Sequence, residues 1–168
     1  MARQNYRGYL AKPIVEAYKK GGKIMLADCS GLCATAEHVA AEFVGKYAFD
    51  VFIPCISLTT NTSLITALAN DYGFDEVFAH QIKTLGKKGD VLIAMTTSRS
   101  PSIVKAIVEA EKLGLVVVVI CSERSGDFGV DYTFIMKGGD TAEVQDRAME
   151  FLHGVAYEVK RRLKQGVA

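Results

Sequence analysis

Residues 91–102 read VLIAMTTSRSPS. Val91-Leu92-Ile93-Ala94-Met95 leaves no polar face, as expected of a parallel strand covered by helices on both sides. Thr96-Thr97-Ser98-Arg99-Ser100-Pro101-Ser102 follows without a gap, with a proline where a new helix would take its first turn. Strand, polar loop and helix in that order form one βα unit, and the same unit recurs on either side. Short apolar runs lie at residues 23–27 (KIMLA), 51–55 (VFIPC), 115–121 (LVVVVIC) and 132–136 (YTFIM). Helical patterns separate them at 34–47, 63–70, 75–85, 102–113 and 143–164. The first of these repeats apolar residues at Ala36, Val39, Ala40 and Phe43. Pro54 marks the second run as an edge strand or one that ends early. The alternation predicts an α/β fold, a three-layer αβα sandwich around a five-stranded parallel sheet. It fits one domain over residues 1–168, with an N-terminal helix in 1–20 and the sheet and its covering helices in 21–165.

Composition narrows the function classes. Of 168 residues, 49% are hydrophobic and 23% charged, a globular profile. A net charge of +1 gives no global field to recruit nucleic acid or an anionic membrane. No apolar run approaches the roughly 20 residues of a bilayer-spanning helix. The opening Met1-Ala2-Arg3-Gln4-Asn5-Tyr6 lacks the apolar core of a signal peptide, so a cytoplasmic location is expected. Cys29, Cys33, Cys55 and Cys121 are too scattered for a disulfide scaffold and read as small buried hydrophobes near strand ends. Imidazole chemistry is limited to His38, His80 and His153.

In such a sheet, ligands meet the loops at the carboxyl ends of the strands. Asp28-Cys29-Ser30-Gly31 follows the first strand, and its small residues let backbone N–H groups approach an anion. Ser30 serves equally well as a plain helix cap. Residues 96–102 carry five hydroxyls and one guanidinium, a composition suited to phosphate. Residues 122–127 read only as a polar turn. His38 and Glu42 share a helical face, as a solvated pair would or as two ligands would. Gln145 and His153 are separated by about 12 Å along a straight helix, so spacing alone does not pair them.

Residues 57–81, SLTTNTSLITALANDYGFDEVFAHQ, resemble the central signature of the phosphoheptose isomerases, members of the sugar isomerase (SIS) superfamily. HVAAEFVGKY from His38 resembles that family's catalytic glutamate helix, GDVLIAMTTSRS its phosphate loop, and VQDRAMEFLH from Val144 its Gln…His helix. The resemblance implies a flavodoxin-like SIS domain and an aldose–ketose isomerase of a phosphorylated sugar. The default substrate pair is sedoheptulose 7-phosphate and D-glycero-D-manno-heptose 7-phosphate. It further implies a zinc ion (Zn2+) held by His38, Glu42, Gln145 and His153, with Glu42 and His153 as the catalytic acid–base pair. Substrate contacts fall on Cys29, Ser30, Gly31, Glu42, Asn70, Asp71, Thr96, Thr97, Ser98, Arg99, Ser100 and Gln145. A homotetramer is implied, with the apolar stripe Val144, Ala148, Phe151, Val155 and Val159 as surface to bury.

The departures from the family pattern are specific. Its Gly-Asn-Gly-Gly-Ser loop is replaced by Asp28-Cys29-Ser30-Gly31-Leu32, which adds a carboxylate and loses a hydroxyl. Arg99 stands in a shortened phosphate loop where the family has glycine, and it is expected to supply a bidentate phosphate contact. Two other readings come from different classes. One is a non-catalytic SIS platform similar to the tetrameric DnaA initiator-associating protein. The other is a sugar-phosphate-sensing regulatory domain.

Overall fold

The computed structural model describes residues 6–167. In chain order the elements are α1 (Tyr6–Lys19), β1 (Ile24–Ala27), α2 (Leu32–Val44), β2 (Cys55–Ser57), α3 (Thr62–Tyr72) and α4 (Val77–Leu85). These are followed by β3 (Val91–Thr96), α5 (Pro101–Leu113), β4 (Val116–Ser122), β5 (Tyr132–Met136) and α6 (Thr141–Gln165). The strands form one sheet in the order β2-β1-β3-β4-β5, and every neighbouring pair is parallel. The α/β architecture expected from the strand pattern is the one observed.

Alternation along the central strands divides the core. Val91, Ile93 and Met95 of β3, with Val118 and Ile120 of β4, pack under α1, α2 and α6. Leu92 and Ala94, with Val119 and Cys121, pack under α4 and α5. Burying each such leucine or isoleucine contributes about 1.5–3 kcal/mol, which is why the central strands carry no polar face.

Most boundaries fall within two residues of the sequence expectation, and two differ by more. The second strand lies at Cys55–Ser57 and not over residues 51–55. Pro54 has no N–H for the ladder, so pairing opens at its carbonyl, which accepts from the Ile24 N–H at 2.8 Å. β2 is indeed an edge strand. The helix expected to reach residue 47 ends at Val44, where Gly45 closes it with an N–H bond to the Ala41 carbonyl.

A third difference concerns α6. Val144, Ala148, Val155 and Val159 of its stripe are buried inside the chain, and Phe151 packs half-buried against the same core. That stripe is therefore core and gives no argument for a partner subunit.

The chain leaves β1 toward β2 on one side and later enters β3 on the other, so the topological switch point lies between the carboxyl ends of β1 and β3. The two polar loops meet there. The Cys29 thiol lies 3.3 Å from the Ser102 hydroxyl and 3.7 Å from that of Ser100.

Candidate active site

α2 turns Leu32, Thr35, Ala36, Val39 and Phe43 into the core. His38 and Glu42 are consequently carried on its flank. α6 buries Leu152, Val155 and Ala156 and brings His153 alongside from its own flank. The three side chains converge. His38 Nε2 is 3.2 Å from Glu42 Oε1, His153 Nε2 is 3.1 Å from the same oxygen, and the two Nε2 atoms are 3.1 Å apart. Glu42 Oε2 is buried and has no hydrogen-bond partner.

This arrangement fits a divalent metal ion. Four ligands placed about 2.0–2.2 Å from a common tetrahedral centre stand roughly 3.3–3.6 Å from one another, close to the spacing found here. Two imidazoles and a carboxylate are a donor set that such an ion takes with one position left open. His38 is half exposed in its side chain whereas Glu42 is 11% exposed, so the triad is open on the His38 side.

Gln145 sits on α6 about two turns before His153. Its amide packs over Gly31 so tightly that a Cβ there would lie 2.5–2.8 Å from the amide atoms. Gly31 is thus the residue that admits Gln145 to the first loop. In the same loop Ser30 adopts φ +60°, a left-handed conformation that a side chain tolerates poorly. Asp28 is fully buried, and neither carboxylate oxygen has a hydrogen-bond partner. Burial pushes its pKa up to about 7; the Cys33 thiol lowers it in part and Glu37 raises it further.

The second loop closes on itself. The Thr96 hydroxyl donates to the Ser98 carbonyl, and the Ser98 N–H returns to Thr96 Oγ1 at 3.2 Å. Ser100 precedes α5 without capping it and places its hydroxyl 3.1 Å from that of Ser102. Arg99 is taken up elsewhere. Its guanidinium donates to the Asp127 carbonyl at 2.7 Å and the Ser125 carbonyl at 3.3 Å, and it lies over the Phe128 ring at 4.6 Å. Arg99 therefore ties the second loop to the turn after β4, the polar turn that looked unremarkable in sequence. Asn70 and Asp71 are exposed at the end of α3 and hydrogen-bond each other at 2.9 Å. α3 buries none of its residues.

Three residues near the triad escaped the sequence reading. Tyr47 stacks on His153 with ring centroids 6.2 Å apart, and its phenol is pushed up by burial and then by the Glu42 charge. Arg7 crosses Gly154 and pairs with Glu150 at 3.1 Å. Arg7, Tyr47 and His153 share an open cavity of about 460 Å³. Lys160 is wholly buried two turns beyond His153. The spacing from Glu42 to Tyr47 and from His153 to Lys160 was legible, but nothing in it distinguishes these residues from ordinary surface positions.

Among the described residues no helix is long and apolar enough to cross a membrane. Comparison with known proteins agrees with this geometry. Residues 8–122 match the model of the SIS domain family. A phosphoheptose isomerase from Burkholderia pseudomallei (strain 1710b) is 39% identical over 141 residues, covering 82% of this chain and 72% of that protein. One from Bradyrhizobium sp. (strain BTAi1 / ATCC BAA-1182) is 38% identical over 165 residues, covering 96% and 83%. The solved phosphoheptose isomerase from Neisseria gonorrhoeae superposes with a TM-score of 0.88 at 28% identity, over 95% of this chain and 88% of that one. That from Francisella tularensis gives 0.89 at 25% identity, over 95% and 87%. A chain that matches in sequence and fold, and brings two imidazoles and a carboxylate together at the flank of the sheet, belongs to the phosphoheptose isomerases of the SIS family, and it is an isomerase.

Proposed function

We propose that this isomerase interconverts the aldose and ketose forms of a phosphorylated sugar, with sedoheptulose 7-phosphate as its ketose substrate. The observation that carries the reading is the triangle of His38, Glu42 and His153 with a buried carboxylate oxygen left unpartnered. Moving a proton between C1 and C2 requires a base at carbon and a group that exchanges protons with the oxygens. Glu42 is the base at carbon. His153, braced by Tyr47, handles the proton at the oxygens and assists ring opening. His38, Glu42 and His153 would hold a zinc ion, toward which Gln145 would turn from its place over Gly31 as the fourth ligand, and the ion when bound would stabilise negative charge on the enediolate oxygens.

The phosphate end belongs to the switch point. The uncapped N-terminus of α5, the hydroxyls of Thr97, Ser98 and Ser100, and the Cys29-Ser30-Gly31 backbone present donors to an anion. Thr96, buried and bonded to Ser98, shapes that loop from beneath. Arg99 holds the loop's outer side through the 125–128 turn. Asn70 and Asp71 contact the substrate hydroxyls. The chain works as a homotetramer in the cytoplasm.

The decisive experiment incubates the purified protein with sedoheptulose 7-phosphate in deuterated water and follows deuterium at the carbon next to the carbonyl. Wild type should exchange that proton and form the aldose, and Glu42→Gln should do neither. Absence of exchange on this and related ketose phosphates would refute the isomerase assignment for this substrate class.

A further inference from the structure

Lys160 is 0% exposed, and the reaction as described makes no use of it. Its ammonium donates to the Gly45 carbonyl at 2.6 Å, at the residue that closes α2. An ammonium is drawn to that end of a helix, where unpaired carbonyls carry partial negative charge. Gly45 is three residues beyond Glu42, and Lys160 is seven beyond His153. Seven residues bring a helix back to nearly the same face about 10 Å further on. A lysine side chain leans toward the N-terminus of its own helix, which carries the charge back toward His153. Helices α2 and α6 therefore touch through polar groups at two levels, His38 and Glu42 with His153 and, further along, Gly45 with Lys160. A methionine would fill the same volume without desolvating a charge, so the ammonium is costly here unless its contact is useful. Burial presses the ammonium toward its neutral form, and the Glu42 carboxylate opposes that shift.

We propose that Lys160 is a positioning residue for the reaction: by holding the Gly45 carbonyl it fixes the last turn of α2 against α6 and thereby sets the spacing between Glu42 and His153. The inference rests on the triad being the reaction centre.

The test compares Lys160→Met, which removes the donor, with Lys160→Gln, which keeps an N–H donor without the charge. The chain has three histidines, so the imidazole signals of metal-free protein can be assigned by NMR. In Lys160→Met the signals of His38 and His153 should move while that of His80 stays. The zinc dissociation constant should rise about tenfold, the usual effect of disturbing a group behind a metal ligand. kcat should fall by a similar factor, with KM within about twofold. Lys160→Gln should recover most of each change. Wild-type imidazole signals and kcat in Lys160→Met would overturn the proposal, as would equal impairment in the two variants or tighter zinc binding. If Lys160→Met does not fold, Lys160→Gln decides: wild-type signals and kcat support the clamp, and their loss overturns it. The imidazole readout needs no substrate. A wild type without isomerase activity would thus defeat the functional reading, while the spacing of Glu42 and His153 that Lys160 sets would still be judged by those signals.

Discussion

Replacing Asp28 by asparagine should stabilise the protein at pH 8 and do much less at pH 5. Asp28 is wholly buried, both its oxygens lack partners, and its pKa is raised to about 7. An unfolded aspartate titrates near 3.8. The native state therefore keeps a proton that the unfolded chain gives up between those values. Stability is unaffected below the unfolded pKa and is lost as pH rises toward the folded one. Three pKa units amount to about 4 kcal/mol in full, of which roughly 2.5 kcal/mol falls between pH 5 and pH 8. Asparagine has nearly the same shape and no charge, so the variant escapes this loss. Any fixed effect of the amide is equal at both pH values and cancels in the comparison. Urea unfolding of both proteins at pH 5 and pH 8 measures the difference. For a chain of this size it corresponds to a relative gain of about 5–10 °C in Tm at the higher pH. A stability difference that is the same at both pH values would show that Asp28 is already compensated, and the argument from its burial would fail.

Gly31→Ala places a Cβ within 2.5–2.8 Å of the Gln145 amide. The backbone at Gly31, φ −64°, accepts alanine, so Tm should change little while activity falls. Adding Gln145→Ala should lower activity no further, as a double-mutant cycle on kcat would reveal. Arg99→Ala should cost about 1–2 kcal/mol and speed amide exchange across residues 123–128, because two carbonyls and the Phe128 ring lose their cation. Phosphate affinity by titration should stay within about threefold; a loss of tenfold or more would mean that Arg99 turns back to the ligand. Gly154→Ala would put a Cβ 2.4 Å from Arg7 Cδ and Nε. That exposed side chain can swing out, so Tm should hold or rise by a few degrees on replacing a mid-helix glycine, and Arg7→Ala in that background should change nothing more.

The fold was legible because its determinants are local and periodic. Residues 91–95 and 115–121 are apolar on both faces, and only burial between two helical layers accommodates that. The error at the second strand has an equally local cause: the apolar run 51–55 looked like a strand, but Pro54 cannot donate to the ladder, and pairing starts after it. The stripe on α6 is apolar as its periodicity predicts but faces the core and not a partner, since periodicity gives the face of a helix but not what lies opposite it.

The site was legible to a lesser degree, for a physical reason. His38 and Glu42 share a face by helical geometry, but His153 comes to them only through the packing of α2 on α6, a contact between residues more than a hundred positions apart. Resemblance to a family supplied that pairing, whereas nothing in the chain's own periodicity did. Arg99 illustrates the opposite limit. A guanidinium in a hydroxyl-rich loop invites a phosphate reading on composition alone, yet the carbonyls of Ser125 and Asp127 and the Phe128 ring lie close enough to claim it. Composition sets which groups are available to a site, and tertiary contacts decide which of them remain free to act. On that view the altered first loop matters less for the hydroxyl lost at Leu32, which is buried in the core, than for the carboxyl at Asp28 and the strained backbone at Ser30.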